Sequence, residues 1–142
     1  MTIYADSSFF VPLYALDAHS AEATRRISSK PAVWFTPFHR AEIAHSLHRQ
    51  VFRARISAAV AALAWNEFEK DCQQGIWHSV EFSDRTWQTC IDLARRHGPA
   101  LGVRTLDSLH VACALELRAQ RFWTFDDRQA KLAQATGLDI SS

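Results

Sequence analysis

Glycine is scarce in this chain: Gly75, Gly98, Gly102 and Gly137 are the only four among 142 residues. None falls in G-x-G-x-x-G or G-x-x-x-x-G-K-[ST], which argues against a dinucleotide fold or a P-loop enzyme. Cysteine is scarcer. Cys72, Cys90 and Cys113 are odd in number, widely spaced and without a C-x-x-C pair. They make neither a disulfide framework nor a zinc site and suit a reducing compartment. No stretch reaches the roughly 18 apolar residues of a membrane span. The N-terminal apolar run Phe9–Leu16 is short, flanked by Asp6 and Asp17, and has no basic leader before it. An excess of one charge is also lacking: 16 Lys and Arg face 15 Asp and Glu, for a net charge of +1. Taken as a sum, that balance argues against a generic basic nucleic-acid binder. These absences lead to the expectation of a soluble, cytoplasmic protein without membrane contact, residues 1–142 forming one domain.

What is present is a globular composition, 48% hydrophobic and 22% charged, enough for a core without staples. Short apolar runs alternate with helix-period segments, as in an α/β fold with a parallel sheet. The runs are Thr2–Ala5, Ala32–Phe35, Gly75–Phe82 and Arg121–Phe125, with Leu138–Ile140 as a weak fifth. Aromatic and β-branched residues mark the second and fourth as buried strands, and His78 and Glu81 mark the third as an edge. Helices are expected from a cap at Ser7 or Ser8 to Leu16 and over His19–Ser29. Others run from Pro37 to about Arg53, over Ser57–Gln74, and from Ser83 or Asp84 to a stop at His97-Gly98-Pro99. The last two are Leu106–Ala119 after a Thr105 cap and Asp127–Thr136.

Four acids fall in suggestive places. Asp6 follows the first strand and Asp126 follows the fourth, and the carboxyl ends of strands form the ligand crevice of open α/β sheets. Asp107 lies in the first turn of its helix, and Glu42 about one turn into the helix after Ala32–Phe35. Taken singly, each has an ordinary explanation. Asp6 and Asp126 could cap helices, Asp107 could complement a helix dipole, and Glu42 could sit on a solvated face. Taken together, they would approach one edge of a parallel sheet and repel one another unless a cation intervenes. Hard divalent ions with oxygen ligands, Mg²⁺ or Mn²⁺ rather than Zn²⁺, are the natural partners. Such sites hold phosphate oxygens and activate water for in-line displacement.

The segments Ile3-Tyr4-Ala5-Asp6-Ser7-Ser8, Ala41-Glu42-Ile43, Leu106-Asp107-Ser108-Leu109-His110-Val111-Ala112 and Thr124-Phe125-Asp126 resemble the PIN-domain nucleases, in particular the VapC-type ribonuclease toxins. The resemblance runs over essentially the whole chain. It implies a three-layer α/β/α fold around a mostly parallel sheet of four to five strands, and a Mg²⁺- or Mn²⁺-dependent endoribonuclease. Asp6, Glu42, Asp107 and Asp126 match the acidic quartet. By the resemblance, Asp6 and Asp107 bind metal most directly, Glu42 completes the shell or orients a water, and Asp126 binds directly or through water. Ser7 and Thr124 match supporting polar positions, and Asp127 adds a neighbouring acid. The implied partners are an RNA, tRNA or rRNA, a small antitoxin protein and a second copy of the chain. The other reading is an RNA-processing or non-cleaving scaffold of the same family.

Competing patterns are weaker. His39, Glu42, His45 and His48 recur every third residue, but steps of three turn successive side chains away from one another, and H-E-x-x-H is absent. His110 reads as a packed or hydrogen-bonded core histidine rather than a base. A haloacid-dehalogenase-type site needs an Asp where Ser8 stands. Most of the five Trp read as core, with Trp65 and Phe68 as candidates for a partner surface. Without the four site acids the chain has 16 basic residues against 11 acidic ones. Seven of the bases (Arg25, Arg26, Lys30, Arg40, Arg49, Arg53, Arg55) surround Glu42 in sequence, either as a solvated face or as a track for an RNA backbone.

Overall fold

A computed structural model describes all of residues 1–142. Four parallel strands form one sheet in the order β3-β2-β1-β4. They are β1 (Thr2–Ala5), β2 (Ala32–Phe35), β3 (His78–Ser79) and β4 (Arg121–Trp123). The helices are α1 (Ser7–Tyr14), α2 (Ser20–Ile27), α3 (Pro37–Phe52), α4 (Ala58–Gln73), α5 (Arg85–Leu101), α6 (Thr105–Glu116) and α7 (Asp127–Ala135). Alternation along the strands divides the core. Ile3, Ala5, Val33, Phe35 and Trp123 pack with α1–α4 on one face, whereas Tyr4 and Phe122 pack with α6 and α7 on the other. The three-layer α/β/α arrangement follows.

The chain leaves β1 for β2 and β3 on one side and returns to β4 on the other. Strand order therefore reverses between β1 and β4, and their carboxyl ends flank a crevice.

Several boundaries differ from expectation. β3 shrinks to two residues, and Leu138–Ile140 contributes a single parallel bridge, Asp139 to Arg121, instead of a strand. The first helix is preceded by Asp6 rather than capped at Ser7 or Ser8, and α6 begins at Thr105 itself, with Arg104 before it. α5 does not stop at Gly98-Pro99. Pro99 sits in the last turn, where it gives up its own bond to the Arg95 carbonyl, but the helix carries on through Leu101. The stop is Gly102, left-handed at φ +61°, whose N–H donates to the Gly98 carbonyl at 2.8 Å. Phe68 is no partner surface: it is fully buried against Phe10, Tyr14 and Phe35, leaving Trp65 half-exposed beside it. Trp77 and Trp123 are core, whereas Trp87 is half-exposed.

Candidate active site

Asp6, Glu42, Asp107 and Asp126 all line one pocket of about 550 Å³ at the carboxyl end of the sheet. Ser7, Ser8, His45, Arg49, Arg104, His110 and Gln129 complete most of its wall.

Asp6 is almost fully buried. Although it precedes α1, its carboxylate makes no capping bond to the helix. Ser8 donates its hydroxyl proton to Oδ1 (2.6 Å) and Thr124 donates to Oδ2 (2.9 Å). Each hydroxyl also accepts a backbone N–H of the loop after β4: Phe125 N–H to Ser8 at 2.9 Å, Asp126 N–H to Thr124 at 2.9 Å. The same two side chains thus aim Asp6 and order the loop that carries Asp126. Burial raises Asp6 to about 6, against the lowering pull of His110, Ser8 and Thr124.

Glu42 is half-buried on α3. Its Oε1 accepts from the Ser7 hydroxyl (2.8 Å) and pairs closely with His110 Nε2. Burial is the largest single influence and pushes Glu42 upward. The hydrogen bond and charge of His110, with Ser7, outweigh it and hold Glu42 below its ordinary value. His110 Nδ1 meets the Tyr4 hydroxyl at 2.9 Å. His39, at the third position of α3, is wholly buried: Nδ1 accepts the Thr36 N–H (2.9 Å), and Nε2 reaches the Ala5 carbonyl (2.7 Å). Burial, with His110 nearby, holds its imidazole far below the usual value, so it is a neutral strut.

Asp107 stands in the first turn of α6, 3.3 Å from the exposed Arg104 guanidinium. Gln129 Nε2 donates to the Asp107 carbonyl at 3.1 Å, tying α7 to α6. Asp126 does cap its helix: Oδ1 accepts the Gln129 N–H at 3.0 Å. Both readings of Asp126, cap and pocket wall, hold together. Asp127 is exposed and outside the pocket wall. The histidine ladder disperses, with His45 and His48 bonding carbonyls of their own helix while His39 enters the core.

No three His, Cys, Asp or Glu side chains are gathered as tightly as a closed metal cage requires. An open site is a different case. Mg²⁺ keeps several of its waters and takes one or two carboxylates directly, with the rest of its shell from water and substrate oxygens. The pocket's acids are all oxygen donors, and Asp6 is a buried carboxylate that its hydroxyl partners do not restore to an ordinary pKa. That donor set fits a hard divalent cation.

The basic run does not form one track. Arg25 and Arg26 pair with Glu22, and Arg40 pairs with Glu69. Arg25, Arg26 and Lys30 line a separate pocket beside the strand starts, with Ile3 and Ala32. Of the seven, Arg49 lines the acidic pocket, joined there by Arg104, which immediately precedes α6.

The four acids that the sequence singles out line one pocket. Sequence reasoning missed Tyr4, Ser8, His39 and Gln129, and it gave His110 no link to Glu42. A polar residue inside an otherwise apolar strand or helix was the available signal for Tyr4 and His110.

A family model for the PIN domain matches residues 3–135. The chain belongs to the PIN-domain family. Two solved structures share its architecture. One is VapC20 of Mycobacterium tuberculosis, a toxin that cleaves the sarcin-ricin loop. It is 20% identical, with a TM-score of 0.72 over 98% of this chain and 98% of that one. The other is VapBC2 of Rickettsia felis, bound to a DNA fragment from its promoter. It is 12% identical, with a TM-score of 0.64 over 99% of this chain and 98% of that one. No curated protein matches the sequence. As a PIN domain, a member of a nuclease family, the chain has its four matching acids on one pocket wall. No helix of this PIN domain is long and apolar enough to cross a membrane.

Proposed function

We propose that this PIN domain is a divalent-metal-dependent endoribonuclease, the toxin of a toxin–antitoxin pair. The observation that carries this reading is the convergence of Asp6, Glu42, Asp107 and Asp126 on one pocket where strand order reverses. The architecture shared with VapC20, a toxin that cleaves the sarcin-ricin loop, and with VapBC2 supports the toxin role and an antitoxin partner; an RNA substrate, tRNA or rRNA, belongs to the same reading. A second copy of the chain and a cytoplasmic setting belong to the same reading.

Asp6 and Asp107 would hold Mg²⁺ or Mn²⁺, with Glu42 and Asp126 binding it directly or through water. When bound, the cation offsets phosphate charge and lowers the pKa of water for in-line displacement. The chain's own residues do the rest. Ser8 and Thr124 aim Asp6, and Ser7 with His110 holds Glu42. Arg49, on α3, and Arg104, just before α6, both line the pocket and would make bidentate contacts to backbone phosphates. In the reaction, water adds at phosphorus, the bond to one ribose oxygen breaks, and that oxygen leaves with a proton.

Total RNA incubated with the protein and Mg²⁺ or Mn²⁺ tests this, against chelator and Asp6→Asn controls, with new 5′ ends mapped. Discrete cleavage sites that vanish in both controls are expected, the Asn variant losing at least about a thousandfold. Cleavage by Asp6→Asn at the wild-type rate overturns the mechanism. Metal binding without cleavage of any RNA favours the scaffold reading.

A further inference from the structure

We infer that His110, backed by Tyr4, is the positioning residue that fixes how Glu42 meets the pocket's cation, which rests on the metal-dependent reading above. Three elements carry three of the pocket acids: β1 leads into Asp6, α3 carries Glu42, and α6 carries Asp107. A single chain of hydrogen bonds crosses all three. The Tyr4 hydroxyl, on β1, meets His110 Nδ1 at 2.9 Å, and His110 Nε2, on α6, meets Glu42 Oε1 on α3. Ser7 then closes on the same Oε1 at 2.8 Å. Both bonds to Glu42 fall on Oε1, so Oε2 is left without a protein partner and is the oxygen free for a cation or its water.

The surroundings make this arrangement stiff. Tyr4 is fully buried and His110 nearly so. The His110 ring lies 4.4 Å from Phe38, 4.7 Å from His39 and 5.9 Å from Tyr4, centroid to centroid. Packed on these faces, the imidazole has little freedom to turn, and its two nitrogens already have partners. His110 is one helical turn beyond Asp107, so the turn that presents Asp107 also sets the height of Glu42. Residues that orient a metal-binding carboxylate from behind typically change metal affinity 10- to 100-fold when removed. The packing explanation for a buried histidine accounts for its burial. It does not account for a hydrogen bond directed at an acid of the pocket wall.

Mn²⁺ affinity measured by calorimetry and by electron paramagnetic resonance, without RNA, tests the inference on His110→Ala, His110→Gln and Tyr4→Phe. His110→Ala is expected to weaken Mn²⁺ binding about 10- to 100-fold and to broaden the resonance of what binds. His110→Gln, whose amide can donate to Glu42, recovers much of that loss. Tyr4→Phe removes one hydroxyl from the far end of the chain and weakens binding about threefold, with near-ultraviolet circular dichroism unchanged. If His110→Ala fails to fold, the Gln and Phe variants decide. Lowered thermal stability with Mn²⁺ affinity unchanged in the folded variants overturns the inference and leaves His110 as packing. A wild-type protein that binds Mn²⁺ but cuts no RNA overturns the nuclease reading while the binding series still judges His110. A wild type that binds no divalent ion overturns both.

Discussion

The β1–α3 side and the α6 side of the pocket hold their acids by different means. On the first, Asp6 and Glu42 are fixed mainly by hydroxyls and an imidazole: Ser8, Thr124, Ser7 and His110. On the second, Asp107 faces the exposed Arg104 guanidinium across 3.3 Å. Hydroxyl donors orient a carboxylate without cancelling its charge, so burial still raises Asp6 to about 6. A guanidinium supplies a full counter-charge, but one on a long, solvated arm that can leave. The contrast separates direction from neutralisation. Asp6 is aimed but electrostatically unsatisfied, whereas Glu42 has His110 and Asp107 faces a partner that can be exchanged.

Asp6→Asn breaks the comparison most severely and is expected to separate activity from stability. Burial places the folded-state pKa of Asp6 near 6, above the ordinary value of 3.8. Its protonation therefore stabilises the fold. That stabilisation is complete below about 3.8 and is lost as pH rises through about 6. At pH 8 the neutral Asn variant, metal-free, should exceed the wild type in stability by about 2–3 kcal/mol. The advantage should shrink toward pH 4, and added Mn²⁺ should stabilise the wild type alone. Urea melts at both pH values read this directly. The same proton competes with metal, so Mn²⁺ affinity of the wild type should fall about tenfold per pH unit below 6 and level off above it.

Ser8→Ala is next in size. It removes a donor from Asp6 and strands the Phe125 N–H, costing about 1–2 kcal/mol by thermal melts. It should also slow cleavage about tenfold, because the loop bearing Asp126 loses an anchor. Arg104→Gln sharpens the comparison from the α6 side and is the smallest effect. Mn²⁺ binding should tighten about threefold as the competing guanidinium goes, while RNA binding weakens and loses part of its salt dependence. Fluorescence anisotropy in a salt series measures the second. Tighter RNA binding by this variant would show that Arg104 only shields Asp107.

Three of the acids were readable because each is tied to a local landmark: a strand end for Asp6, a first turn for Asp107, and for Asp126 the start of a helix just past β4, which ends at Trp123 rather than at the expected Phe125. The buried strands were readable from aromatic and β-branched runs, and the edge strand β3 from the polar His78 and Glu81 within its run. What stayed hidden is tertiary. Tyr4 and His110 lie 106 residues apart, and His110 and Glu42 lie 68 apart. No spacing rule links such partners. Ser8 was seen only as a cap, although its hydroxyl joins Asp6 to a loop more than a hundred residues away. The end of α5 was misread for a different reason: Gly-Pro reads as a stop, but the left-handed residue that ends the helix is Gly102. The basic run misled because sequence proximity placed Arg25 and Arg49 together, while the fold puts them in different pockets.

Asp126 carries a consequence for how such a protein can change over generations. Its carboxylate is both pocket wall and cap of α7, and Gln129, whose N–H it holds, reaches across to the Asp107 backbone. Replacing Asp107 gives up little besides its own chemistry, whereas replacing Asp126 uncaps a helix at a cost of about 1 kcal/mol. A lineage released from selection for cleavage would shed Asp107 early and retain Asp126 long after its catalytic use had gone. In a decayed descendant, an aspartate at that loop would be a relic of architecture, and it would testify to ancestry without testifying to activity.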